Sequence, residues 1–264
     1  MDKPVDRPED MVPLARDGAV AVLTLNYPAR RNAFCLQMRT QLRERLDAAM
    51  VDAEVRAIVI TGAGGHFCAG GDISEMEQRT LLQNRERWNL VAALIRAIAL
   101  GPKPVVAAVE GIAMGAGLSI AALADYGVAA GDAKFGAAFV KVGLLPDMGV
   151  LWSLQHRVGR AKAREILGLA RVFDGVEAGR IGLANEVAAP GQALTRALAV
   201  AQEYARLPPV ATALLKSALA QGVDSLDAAI RSEVEFQAVA MASQDHAEAV
   251  RAYTDKRTPK FNGQ

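Results

Sequence analysis

Cysteine is scarce in this chain: Cys35 and Cys68 are the two it has in 264 residues. Two thiols at that spacing build no disulfide framework and no zinc site, and they suit a reducing cytoplasm. An excess of charge is lacking too. The formal net charge is +1, so neither nucleic acid nor an anionic membrane is expected as a partner. No apolar run reaches the roughly 18 residues of a membrane span without a charge or glycine break. The start of the chain has neither a basic nor an apolar signal region, so a cytoplasmic location is expected. Histidine is limited to His66, His156 and His246, and no His/Cys/Asp/Glu cluster has metal-ligand spacing, so no metal is expected. Hydrophobic residues, by contrast, make up 52%. That is enough for a globular chain with a substantial core, as one large domain or a domain with a helical appendage.

Two glycine-rich segments stand out against this background. Phe67-Cys68-Ala69-Gly70-Gly71-Asp72 and Gly111-Ile112-Ala113-Met114-Gly115-Ala116-Gly117 each follow a short β-branched run and each lead towards a helix. Residues with little or no side chain let backbone approach a ligand closely. Peptide N–H groups at a helix start are already aimed at developing negative charge. Two such donors converging on one thioester oxygen make an oxyanion hole, so the pattern points to chemistry through an enolate.

Residues 1–15 are rich in proline and charge and read as a loose arm. Alternation predicts a strand over 19–26, a continuous apolar run predicts one covered on both faces over 57–61, and further strands are expected over 104–109, buried, and 126–130. The apolar positions of 36–51 recur at helical spacing, and 73–100 also reads as mostly helical, with Gly101-Pro102 ending it. From Pro146 onward helices dominate, near 148–157, 160–169, 175–181, 191–206, 209–221, 224–240 and 244–254, with Pro208-Pro209 separating two of them. An α/β core over 16–200 followed by a helical region over 201–264 is the expected organisation, with the alanine-rich C-terminal helices packing against sister subunits.

Several short segments occur in an order that resembles the crotonase (enoyl-CoA hydratase/isomerase) family. They are Asn26-Tyr27-Pro28-Ala29-Arg30-Arg31-Asn32-Ala33, Ile58-Val59-Ile60-Thr61-Gly62, the two glycine segments, Phe135-Gly136, Gly143-Leu144-Leu145-Pro146-Asp147-Met148-Gly149, Ala178-Gly179-Arg180-Ile181-Gly182, and Lys256-Arg257-Thr258-Pro259-Lys260-Phe261. The resemblance covers residues 18–262. It implies a spiral of ββα units with a helical C-terminal trimerisation region, a homotrimer or homohexamer, and an acyl-CoA thioester substrate needing no separate cofactor. By position it makes the N–H groups of Gly71 and Ala116 the oxyanion donors. It sets Ala33 and Ala69 against CoA through their backbones, with Gly70, Asp72, Ile73, Gly115 and Phe139 beside them. Arg30 or Arg31 would face the phosphates, together with Lys260 from a neighbouring subunit.

The departures from the family pattern carry the choice of reaction. Hydration of a 2-enoyl thioester needs one group to activate water and one to protonate the α-carbon, a task for two carboxylates. The family's hydratases place glutamates where this chain has Ser119 and Phe139. What remains is Asp147, at a place resembling the single base of the enoyl-CoA isomerases, and most similar to the phenylacetate-degradation type. One carboxylate suffices to remove an allylic proton and return it two carbons along. Apolar neighbours such as Leu144, Leu145, Met148 and Trp152 would raise its pKa. Alternatively, Asp147 caps the helix that follows it.

Other readings remain beside this one. They are a hydratase, lyase or hydrolase of the same family, and a non-catalytic acyl-CoA-binding subunit. Thr61-Gly62-Ala63-Gly64-Gly65 lacks the dinucleotide spacing. Cys68 with His66, or Ser119 with a histidine, would be a nucleophile without an orienting third group. Asp72 reads as a helix cap that stiffens the first donor, while Glu75 and Glu77 could border the acyl pocket.

Overall fold

A computed structural model describes residues 7–75, 80–222 and 225–264. Parts of three expectations lie outside that range: residues 1–6 of the arm, 76–79 of the helix after Ile73, with Glu77, and 224 at the start of a C-terminal helix. The large sheet has six strands. They are β1 (Leu14–Asp17), β2 (Val20–Leu25), β3 (Ala57–Gly62), β4 (Val105–Val109), β6 (Tyr126–Ala130) and β9 (Glu186–Ala188), adjacent in that order. β1 is antiparallel to β2, and every later pairing in this sheet is parallel. A parallel sheet is covered on both faces, and the central strands show why their sequences run apolar without interruption. Ile58 and Ile60, with Val105, Ala107 and Val109, point into one core. Ala57 and Val59, with Val106 and Ala108, point into another, beneath Ala193, Ala197, Val200 and Ala201.

A second, smaller layer contains β5 (Ile112–Met114), β7 (Lys134–Gly136) and β8 (Val172–Asp174). It is extended by single bridges between Phe34 and Gly71 and between Cys68 and Ala113. The chain therefore repeats one course. A large-sheet strand is followed by a short extended piece in the second layer and then by a helix. β2 is followed by Phe34 and α1 (Leu36–Val51), and β3 by Cys68–Gly71 and α2 (Leu81–Leu100). β4 leads to β5 and α3 (Ala116–Leu123), and β6 to β7 and α4 (Val150–Gly168). This is the spiral of ββα units that the resemblance implies.

α4 is interrupted at Gly159, with φ 77° and ψ 158°, which accounts for the two helices expected over 148–157 and 160–169. α5 (Gly175–Arg180) leads to β9, and then come α6 (Ala193–Ala205), α7 (Pro209–Gln221), α8 (Leu226–Ala242) and α9 (Gln244–Thr254). The division expected at 200/201 falls inside α6, where Val200 and Ala201 pack together against the sheet. α7 is tied to the core by Lys216. Its buried ammonium donates to the carbonyls of Ile98 (2.7 Å) and Lys103 (2.9 Å) and to Asp125 (2.7 Å).

The loose arm also needs correction over its described part. Met11 and Val12 are fully buried. The Met11 N–H donates to Gln41 (2.7 Å), its carbonyl accepts from Asn26 N–H (2.8 Å), and Arg7 pairs with Asp72 and Glu75. Two apolar side chains with a core to enter outweigh the proline-rich composition around them.

Candidate active site

The site forms where the parallel strands end and their helices begin, the position at which open α/β sheets characteristically bind ligands. Three loops meet there. The turn after β2 carries Arg30 and Arg31, and it is fixed by Asn32, which is fully buried with φ 58°. The Asn32 side chain accepts from Tyr27 N–H (2.8 Å) and donates to the carbonyls of Ala63 (2.9 Å) and His66 (2.6 Å). The Ala69 N–H then donates to the Arg31 carbonyl (2.9 Å), and the Phe34 N–H donates to that of Gly70 (2.7 Å). Asn32 therefore acts as a staple that holds the first glycine segment against the turn.

The second glycine segment lies directly against the first. Gly70 and Gly115 both have positive φ, 100° and 49°. A β-carbon on Gly115 would sit 3.6 Å from the Gly70 α-carbon and 3.8 Å from the Phe139 ring, and one on Gly70 would sit 3.1 Å from the Met114 carbonyl oxygen. Glycine is needed at both for conformation, and at Gly70 for closeness as well. Ala116 opens α3, so its N–H is among the donors that a helix leaves without an internal acceptor.

A cavity of about 830 Å³ opens over this junction, and Ala69, Gly70, Gly71, Ile73, Gly115, Ala116, Phe139 and Asp147 all line it. The structure thus brings together most of the residues singled out in the sequence. Asp72 is set behind the wall. Its buried carboxylate accepts from Ser74 N–H (3.0 Å) and Ser74 Oγ (2.7 Å) and pairs with Arg7 at 3.3 Å. Arg30 and Arg31 are exposed and Ala33 is buried, all in the turn beside the cavity and outside its lining. Lys260 is not brought to the site within one chain. Its N–H donates to Glu248 (2.9 Å), and the next carbonyl, of Phe261, accepts from Arg56 just before β3, at the opposite end of that strand.

Asp147 is half-buried in the cavity wall. Burial pushes its carboxyl up to about 6, partly offset by the nearby Arg39 and Arg87 guanidinium groups. No hydrogen bond reaches that carboxylate among the described residues. It does not cap α4, whose N-terminal boundary is Gly149 with no side-chain cap. The residues after it hold unusual backbone: Met148 has φ 56° and Gly149 φ 76°. A buried methionine in the left-handed region is a strained choice.

Ser119 and Phe139 are placed in ways that the sequence alone did not indicate, Phe139 lining the cavity and Ser119 buried outside its lining. Ser119 is fully buried, and its hydroxyl lies 3.1 Å from the Gly115 carbonyl and 3.0 Å from the Asp147 carbonyl. One proton serves both oxygens, so this hydroxyl ties the base-bearing loop to the second glycine segment. That bonding also removes Ser119 as a nucleophile. Cys68 is excluded on similar grounds: burial pushes its thiol up to about 12, far from thiolate reactivity. His66 lies outside the cavity lining, its Nδ1 buried without a partner. Among the described residues no group of three or more His, Cys, Asp or Glu side chains is placed to hold a metal. No helix among them is long and apolar enough to cross a membrane.

Several lining residues were not anticipated from the sequence, among them Arg39, Arg85 and Arg87. Arg39 lies on the buried face of α1 with Met38, Leu42 and Leu46. The signal was present as a charge spaced three and seven residues from apolar positions.

The fold and this cavity define an enzyme of the crotonase class. Residues 15–264 match the family described as enoyl-CoA hydratase/isomerase, and the chain belongs to that family. It is 36% identical to the 1,2-epoxyphenylacetyl-CoA isomerase of Escherichia coli, over 92% of this chain and 95% of that one. It is 34% identical to the short-chain-enoyl-CoA hydratase of Clostridium acetobutylicum, over 92% and 94%. Among solved structures, a putative enoyl-CoA hydratase from Streptomyces coelicolor superimposes with a TM-score of 0.91 at 33% identity, covering 100% of this chain and 98% of that one.

Proposed function

We propose that this member of the family is an enoyl-CoA isomerase that shifts a carbon–carbon double bond with Asp147 as the sole proton carrier. The supporting observation is the pairing of a desolvated carboxylate with the absence of a second one among the described lining residues. Asp147 is the one acidic side chain among the described lining residues, while Ser119 and Phe139 stand where a hydratase would need glutamates. The thioester oxygen would rest on the N–H groups of Gly71 and Ala116, which stabilise negative charge as it develops. Ionised Asp147 removes an allylic proton from the α-carbon, giving a dienolate. The resulting carboxylic acid returns the proton at the γ-carbon, so the base is regenerated without water or a cofactor. A carboxyl titrating near 6 suits both halves of that cycle, since it is largely ionised at neutral pH and still basic enough to take a proton. Phe139 and Met148 keep the carboxylate poorly solvated. Arg30 or Arg31 meets the CoA phosphates, with Lys260 supplied by a neighbouring subunit of a homotrimer or homohexamer.

The test is product analysis by NMR with 3-enoyl-CoA and crotonyl-CoA substrates, on the wild type and on Asp147→Asn. Double-bond migration should dominate, and the variant should lose turnover by about 10²–10⁴-fold with a much smaller change in binding. Hydration within about tenfold of isomerisation, or near-wild-type turnover by Asp147→Asn, would overturn the assignment.

A further inference from the structure

Arg39 is 7% exposed, and its Nε is buried without a hydrogen-bond partner. Among the described residues its guanidinium forms no hydrogen bond and no ion pair. It lies over the Phe34 ring, with Cζ 5.5 Å from the centroid. That contact is a cation–π interaction, which recovers only part of what a buried guanidinium loses on leaving water. Such a group ordinarily survives in a core because a carboxylate meets its planar fork. Two carboxylates, Glu75 and Asp147, lie near enough to act on Arg39, yet neither bonds to it among the described residues, and Glu75 is engaged by Arg7 and the Leu36 N–H.

The position of Arg39 matters as much as its lack of partners. It lines the acyl cavity, and Phe34 beneath it pairs through its backbone with Gly71. The cation is thus one side chain removed from the first oxyanion segment. Arg85 and Arg87 of α2 line the same cavity.

We infer that Arg39 forms a subsite for a carboxylate at the end of the acyl group remote from the thioester, so that the substrate class is a CoA ester of a dicarboxylic acid. This deepens the acyl-CoA reading above and rests on it. The carboxylate supplies the two acceptor oxygens that the guanidinium lacks, and it does so inside a cavity where water competes poorly.

Binding of saturated esters tests the subsite without requiring any reaction. Calorimetric affinities would be measured for length-matched pairs, succinyl-CoA against butyryl-CoA and adipyl-CoA against hexanoyl-CoA, on wild type, Arg39→Met and Arg39→Lys. The wild type should favour the dicarboxylic member of at least one pair by about tenfold or more, as expected for a charge-assisted bond in a desolvated site. Arg39→Met should bring that ratio to about one, and Arg39→Lys should leave it between the two. Equal affinity within both pairs in the wild type overturns the subsite while leaving the acyl-CoA reading in place, and needs no variant to fold. A preference that survives Arg39→Met undiminished assigns it to another residue and equally overturns the inference. If no ester binds the wild type, the acyl-CoA reading falls and the subsite falls with it.

Discussion

At the scale of single residues, Asp147 shows how burial without bonding produces a base. Most buried carboxylates accept hydrogen bonds or pair with cations, as Asp72 does with Ser74 and Arg7. Asp147 has none among the described residues, and desolvation carries it from 3.8 to about 6. Two consequences follow, with opposite signs. The rate constant kcat/KM should rise with pH through about 6 and then level, because the reaction needs the ionised form. Stability should run the other way. Below about pH 4 the carboxyl is protonated in both folded and unfolded chains. Between about 4 and 6 the folded chain holds a proton that the unfolded chain has lost, so its advantage declines as pH rises. Asp147→Asn should therefore be more stable than wild type at pH 7, by about 1–2 kcal/mol after allowing for partial solvent screening, and equal to it near pH 3. Thermal melts across that range would check it. A variant destabilised at neutral pH would mean that the carboxylate has a bonding role.

At the scale of elements, what could be read from the sequence depended on length. α1 and the four long parallel strands were legible because each repeats its pattern over several residues. β5, β7, β8 and β9 have three residues each, too few to show alternation; the first three became visible only as partners of one another, and β9 only as the partner of β6. The glycine segments were legible because positive φ and close approach leave a direct mark on composition. Asn32 was quoted within a family segment, yet its work depends on Ala63 and His66, more than thirty residues away, which no local pattern conveys. Arg39 marked the inward face of α1 but was hidden by the reasonable habit of reading charge as surface. Because Asn32 joins the turn to the first glycine segment, Asn32→Ala should unseat both. It leaves the Tyr27 N–H and two carbonyls without their partner and puts alanine, which tolerates the left-handed region less well than asparagine, at φ 58°. The expected cost is about 2–4 kcal/mol, with CoA-ester affinity lost in parallel, as chemical denaturation and calorimetry would show. Full stability would remove the staple.

At the scale of the whole molecule, the sheet and the spiral fix one end of the chain's course, and the C-terminal helices close the other. α7 is anchored through Lys216, and the final residues fold back so that Asp245 accepts from the N–H groups of Asn262 (2.8 Å) and Gly263 (3.1 Å). Yet Leu215 and Leu219 of α7, and Ile230, Val234, Val239 and Met241 of α8, are exposed. The resemblance implies that sister subunits cover such helices, and the prediction is correspondingly simple. Ile230→Glu combined with Val234→Asp should lower the oligomer order in sedimentation analysis while leaving the circular dichroism of the subunit intact. If Lys260 is lent between subunits, the dissociated form should also bind CoA esters less tightly. An oligomer of undiminished size would move the interface elsewhere.

The Ser119 hydroxyl gives the molecule a shared datum. Because it bridges the Gly115 and Asp147 carbonyls, the start of α3 and the proposed proton carrier are referenced to the same atom rather than independently to the sheet. Drift of α3 then carries both along, and the spacing between them is conserved even as their common position wanders. Precision in this site is relative, between the two groups that must act on one ligand, and does not require the surrounding scaffold to be still.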